Sequence, residues 1–84
     1  MATVKLTVEA DAQRRRLPKK IRERVQKMLI RLEEWPAVSG VKKLTGNLAG
    51  WYRARVGDYR IRFRVQDDMA VVDKIGHRKD VYED

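Results

Sequence analysis

Arginine stands at every second position in two short stretches of this chain: Arg53 and Arg55, then Arg60, Arg62 and Arg64. A guanidinium fork binds phosphate through two parallel hydrogen bonds and stacks on nucleobases, which an ammonium cannot do. Lys42 and Lys43 precede the arginines, and from Lys42 to Arg64 there are seven basic residues against a single acid, Asp58. One reading of such a face is that it is merely solvated. Solvated faces usually mix signs, however, because like charges on neighbouring strands repel. The pattern therefore points to a polyanion as the occupant. With no cysteine and one histidine, the chain has no material for a thiolate or multi-histidine metal site.

Alternation positions these side chains on strands. In Tyr59–Val65, Tyr59, Ile61, Phe63 and Val65 point one way and Arg60, Arg62 and Arg64 the other. In Trp51–Val56, Tyr52, Ala54 and Val56 oppose Trp51, Arg53 and Arg55. Trp51 is thereby placed either to stack on RNA or to cover the sheet edge. Tight turns at Gly57-Asp58 and Asp67-Asp68 join these strands to a third, Met69–Ile75. Upstream, residues 3–8 read as a strand with Val4, Leu6 and Val8 on one face. A short helix follows from about Glu9 to Arg16, and Pro18 opens a second. There, Ile21, Val25, Met28, Leu29 and Leu32 form an apolar stripe at helical spacing that ends before Trp35-Pro36. Residues 37–50 read as a loop and the polar tail from Gly76 as a turn or short helix.

The order β-α-α-β-β-β predicts an α+β fold: a mainly antiparallel four-stranded sheet, a helical hairpin on one face and a basic open face. Residues 1–84 read as one domain. The formal net charge of +8 favours polyanionic partners, since neutralised phosphates release counterions. No apolar run approaches the roughly 18–20 residues of a membrane span, and the alternating N-terminus lacks the apolar core of a signal peptide. A cytoplasmic protein without a membrane association is expected.

Three blocks carry a resemblance: Lys42-Lys43-Leu44, Tyr52-Arg53-Ala54-Arg55-Val56-Gly57-Asp58-Tyr59-Arg60-Ile61, and Ile75-Gly76-His77-Arg78-Lys79-Asp80-Val81-Tyr82. Together, at this spacing, they resemble the RelE branch of the RelE/ParE toxin superfamily over essentially the whole chain. The resemblance implies a toxin of a type II toxin–antitoxin system that cuts mRNA in the ribosomal A site. In that chemistry the 2′-hydroxyl attacks the adjacent phosphate and leaves a 2′,3′-cyclic end, with neither metal nor cofactor. A base, an acid and positive charge for the phosphorane are needed.

By position, the resemblance assigns Arg60 to the scissile phosphate. Arg78 is assigned to charge stabilisation or leaving-group protonation, and Tyr82 to stacking on the mRNA base and to proton transfer. Arg60 and Arg78 are both expected on an exposed site. Arg53 and Arg55 stand where well-known members carry lysines. Arginine does not give up its proton, so these two stabilise charge, with Lys42, Lys43 and Arg62 as further phosphate contacts. The general base is then Tyr82, whose phenolate nearby arginines would favour, or His77, whose imidazole type titrates near neutrality. Both have plainer alternatives: Tyr82 as packing for the tail, His77 as a structural strand-end residue.

A ParE-like toxin that inhibits DNA gyrase shares the fold, and a non-catalytic RNA-binding domain could use the same arginines. The resemblance also implies a cognate antitoxin that wraps the toxin with an acidic, apolar-anchored segment. Ribosome and mRNA are the other implied partners, with operator DNA reached through the antitoxin.

Overall fold

The computed structural model describes residues 1–81. Strand β1 (Thr3–Leu6) leads into helix α1 (Val8–Arg15). Thr7 is the boundary: its hydroxyl accepts the Ala10 amide at 3.1 Å, satisfying one of the donors that a helix start leaves open. Glu9 and Asp11 in the first turn and Arg14 and Arg15 in the last complement the helix dipole. The Arg14 hydrogen bond holds the Asp11 carboxyl below its ordinary 3.8. Val8 consequently belongs to the helix, not to β1. It is 89% exposed, so its expected place on the strand's apolar face is corrected.

Pro18 is the N-cap of α2 (Lys19–Arg31). The apolar stripe read from the sequence is the buried one: Val25, Met28, Leu29 and Leu32 are each no more than 5% exposed. A 3-10 turn, Leu32–Glu34, ends this segment before Trp35-Pro36. The stripe packs on the sheet beside Ile61, Phe63 and Val72. Trp35 meets Tyr52 and Phe63 edge-on, with ring centroids 4.7 and 5.5 Å away.

The sheet has five strands, not the expected four, in the order β1-β5-β4-β3-β2. The addition is β2 (Val41–Lys43), inside the segment read as a loop. It pairs antiparallel with β3 (Trp51–Val56), using Val41, Lys42 and Lys43 opposite Ala54, Arg53 and Tyr52. The meander β3, β4 (Tyr59–Gln66) and β5 (Met69–His77) is antiparallel throughout. β1 runs parallel to β5, on whose far side β4 lies. Both helices cover one face of this sheet, as the element order requires. Gly57 takes φ +59° in the β3–β4 turn, a left-handed conformation that favours glycine.

Among the described residues, no helix is long and apolar enough to cross a membrane.

Candidate nucleic-acid interface

Register decides which side chains share a face, since residues directly opposite on paired strands project the same way. Arg55 stands opposite Arg60, Arg53 opposite Arg62, and Trp51 opposite Arg64. Lys42 stands opposite Arg53 and joins them. All five arginines thus lie on the sheet face away from the helices, as alternation predicts. Lys43 stands opposite Tyr52; it belongs to the helix side, exposed at the edge.

The face is not bare. Arg60 is only 4% exposed and Arg53 only 9%, which corrects the expectation that Arg60 is an exposed side chain. Arg60 Nη1 donates to the Gly57 carbonyl at 2.8 Å and to the Tyr59 carbonyl at 3.0 Å. The turn thereby fixes where this guanidinium points. Arg55 and Arg64 are exposed. The Trp51 ring lies under two cations, Arg62 Cζ at 4.9 Å and Arg64 Cζ at 5.6 Å. Trp51 thus lies on the arginine face, against two of its guanidiniums. Leu44 and Val81 are buried outside the core between helices and sheet. Val81 Cγ2 lies 3.4 Å from where a β-carbon would stand on Gly76. Gly76 is the register partner of Arg60, so the segment after β5 folds over this face beside that arginine.

Arg62 has a carboxylate partner that the count from Lys42 to Arg64 excluded. Its Nε and Nη2 donate to the two carboxylate oxygens of Asp73 at 3.0 and 2.6 Å. The hydrogen bond to Asp73 raises the Arg62 pKa. A bulge is responsible. Phe63 pairs with Val72 but Arg62 with Lys74, leaving Asp73 as the extra residue on β5. The signal was legible: core residues Ala70, Val72 and Ile75 break the spacing of two with a spacing of three. Gln13 completes the bulge from α1, its side-chain oxygen accepting the Ile75 amide at 2.8 Å. Nothing in α1's own pattern marks Gln13 for that role.

The candidate proton-transfer residues separate. Arg78 is exposed, and its amide donates to the Asp58 carbonyl at 2.7 Å. It therefore sits at the same turn that holds Arg60. His77 stands opposite Tyr59, with ring centroids 5.4 Å apart, on the helix side of the sheet. Its Nδ1 accepts the Lys79 amide at 3.2 Å, and its carbonyl accepts the Asp80 and Val81 amides. Its register face is opposite that of Arg60. Tyr82 lies outside the described residues. Among the described residues, no group of three or more histidine, cysteine or acidic side chains is arranged to hold a metal ion.

A family model described as ParE toxin of type II toxin–antitoxin systems matches residues 4–82. No curated protein sequence gives a significant match. Among solved structures, a chain of the RelBE2 toxin–antitoxin complex of Mycobacterium tuberculosis superposes with a TM-score of 0.81. It is 31% identical, over 92% of this chain and 98% of that one. A chain of the RelB–RelE antitoxin–toxin complex of Methanococcus jannaschii is 24% identical, with TM-score 0.75 over 89% of this chain and 91% of that one. The isolated Escherichia coli RelE toxin shares the fold at 20% identity, with TM-score 0.75 over 92% of this chain and 84% of that one. A family match over nearly the whole length, with a relative above 30% identity, decides the assignment: the chain belongs to the ParE toxin family of type II toxin–antitoxin systems, within the RelE/ParE superfamily.

Proposed function

We propose that this toxin is a ribosome-dependent mRNA endonuclease that cuts in the A site and is silenced by a cognate antitoxin. The observation that carries the reading is the convergence of Arg60 and Arg78 on one turn. Arg60 is oriented by the Gly57 carbonyl, and Arg78 is tethered to the Asp58 carbonyl. Two cations brought to one turn, one of them oriented by a backbone carbonyl, suit a phosphorane that gains charge during the reaction. In the proposed step the 2′-oxygen attacks phosphorus and the bond to the 5′-oxygen breaks. Tyr82, as its phenolate, takes the 2′-hydroxyl proton, and solvent water protonates the departing 5′-oxygen, whose developing charge Arg78 stabilises. Arg60 holds the non-bridging oxygens, with Arg53, Arg55 and Lys42 lining the path of the strand. Arg62, already paired with Asp73, orients Trp51 as a stacking surface. His77 holds the Arg78–Val81 turn through its Nδ1 and carbonyl contacts.

Solved relatives captured as toxin–antitoxin complexes support an antitoxin partner here, through which operator DNA would be reached. The cytoplasm is the compartment this reading requires. Primer extension on mRNA in a translating extract, with and without ribosomes, tests it. Codon-phased cuts that need ribosomes are expected, and Arg78→Ala should slow them about 10²–10³-fold. Intact mRNA together with blocked gyrase supercoiling would replace the reading by the ParE-like one. RNA binding without cuts or gyrase inhibition would leave a non-catalytic RNA-binding toxin.

A further inference from the structure

The open face of the sheet differs from one end to the other. Beside the Gly57 turn its row is Arg55, Arg60 and Gly76, register partners across β3, β4 and β5. That row holds two guanidiniums and a residue without a side chain. At the opposite end the row is Trp51, Arg64, Val71 and Lys5, partners across β3, β4, β5 and β1. Aromatic and aliphatic surface alternates there with cations. Trp51 and Val71 are partly exposed, and Arg64 and Lys5 are exposed. Along β4 the step from Arg60 to Arg64 is roughly 13 Å.

The Trp51 ring is fixed before anything binds. Arg62 Cζ stands 4.9 Å from its centroid and Arg64 Cζ 5.6 Å. Arg62 is itself locked, since its Nε and Nη2 engage both oxygens of Asp73 and its side chain is only 13% exposed. A loose arginine loses rotamer freedom in staying over a ring, and the carboxylate removes that cost by holding the guanidinium in one place. The bulge that delivers Asp73 therefore acts on Trp51 through Arg62. Trp35, the other tryptophan, packs against the core on Tyr52 and Phe63. Phosphates alone need cations, whereas alternating planes and cations suit nucleotides, whose bases stack while their phosphates pair. A docking peptide anchors large side chains in a pocket, and a row on a sheet offers planes instead.

We infer that Trp51, with Arg64 and the Asp73-locked Arg62, forms a nucleobase-stacking subsite for single-stranded RNA at the end of the arginine face away from the cut. Asp73 is its positioning residue. The inference rests on the nuclease reading for its substrate and adds a second point of hold. One base stacks at Trp51 while Arg60 and Arg78 act on a phosphate about four nucleotides away at stacked spacing, and fewer in a splayed strand. Stacking accepts every base, so the subsite grips the strand without choosing its sequence.

The test is fluorescence anisotropy of the intact toxin with two labelled hexamers, 2′-O-methyladenylate and an abasic strand of equal phosphate count. Neither has a free 2′-hydroxyl, so neither can be cut. Removing the bases should weaken binding to the wild type roughly tenfold more than binding to Trp51→Leu. Acrylamide quenching of the wild type needs no variant. The adenylate hexamer should shield Trp51 and the abasic one should not. Asp73→Asn raises the net charge, so a face bound by charge alone would hold both hexamers more tightly by the same factor. The subsite instead requires the gap between the hexamers to shrink about threefold or more, and Asp73→Glu to restore it. Equal gaps in the wild type and Trp51→Leu, or equal shielding by both hexamers, overturn the inference. An unchanged gap in Asp73→Asn overturns the role of Asp73. Ribosome-dependent cuts alongside equal gaps keep the nuclease reading and remove the subsite. A Trp51-dependent gap without cuts supports the subsite and removes the nuclease reading alone.

Discussion

Arg60 shows how far a residue can be read from its place in a string. Alternation assigns its face correctly, but alternation says nothing of what folds over that face. The Arg60 guanidinium, almost fully buried, carries two backbone carbonyls of its own turn. Loss of charge-assisted bonds at a buried site strands the carbonyls that used them, so Arg60→Ala should lose about 1–3 kcal/mol in urea unfolding. Arg78→Ala, at an exposed position, should stay within about 0.5 kcal/mol of the parent. Equal stability of the two variants would contradict the buried, bonded Arg60. Any loss of toxicity in Arg60→Ala must therefore be compared with its melting curve before it is called catalytic. Tyr82 remains an assignment by resemblance, since it lies outside the described residues.

Among the elements, α2, β3 and β4 were legible because their apolar periods of 3.6 and 2 run uninterrupted. β2 was not, because three residues ahead of Leu44, two of them lysines, carry no strand signal. The exposed edge of β3 recruits them. The β5 bulge lies between these cases: its three-residue step was printed in the sequence, but its effect on Arg62 needed the register. Gln13 closes the bulge from 62 residues away, and the Ile75 side of that bond is buried. Gln13→Ala leaves a buried amide without its acceptor, which should cost about 1–3 kcal/mol. Hydrogen exchange at the Ile75 amide should quicken more than at its β5 neighbours. Unchanged protection there would mean that the helix does not clamp the sheet.

For the whole molecule, 84 residues leave little margin, since small chains bury a modest share of their surface and are stable by only a few kcal/mol. Phe63 and Leu32 are fully buried where sheet and helices meet. Phe63→Ala and Leu32→Ala should each cost about 2–5 kcal/mol, and a two-state urea titration or outright insolubility would register it. Stability within about 1 kcal/mol of the parent for both would misplace the core.

The strand order carries a consequence for when this protein comes into being. β1, the first strand to be synthesised, has its parallel partner in β5, made after all the others. β5 also joins β1 to β4 and receives Gln13 from α1. Until residue 77 has emerged, β1 and α1 have no sheet to join, and nonlocal pairings of this kind form slowly. A nascent chain still inside the translation machinery thus lacks the assembled Arg60–Arg78 end. The topology delays the toxin's maturation until its own synthesis has passed β5.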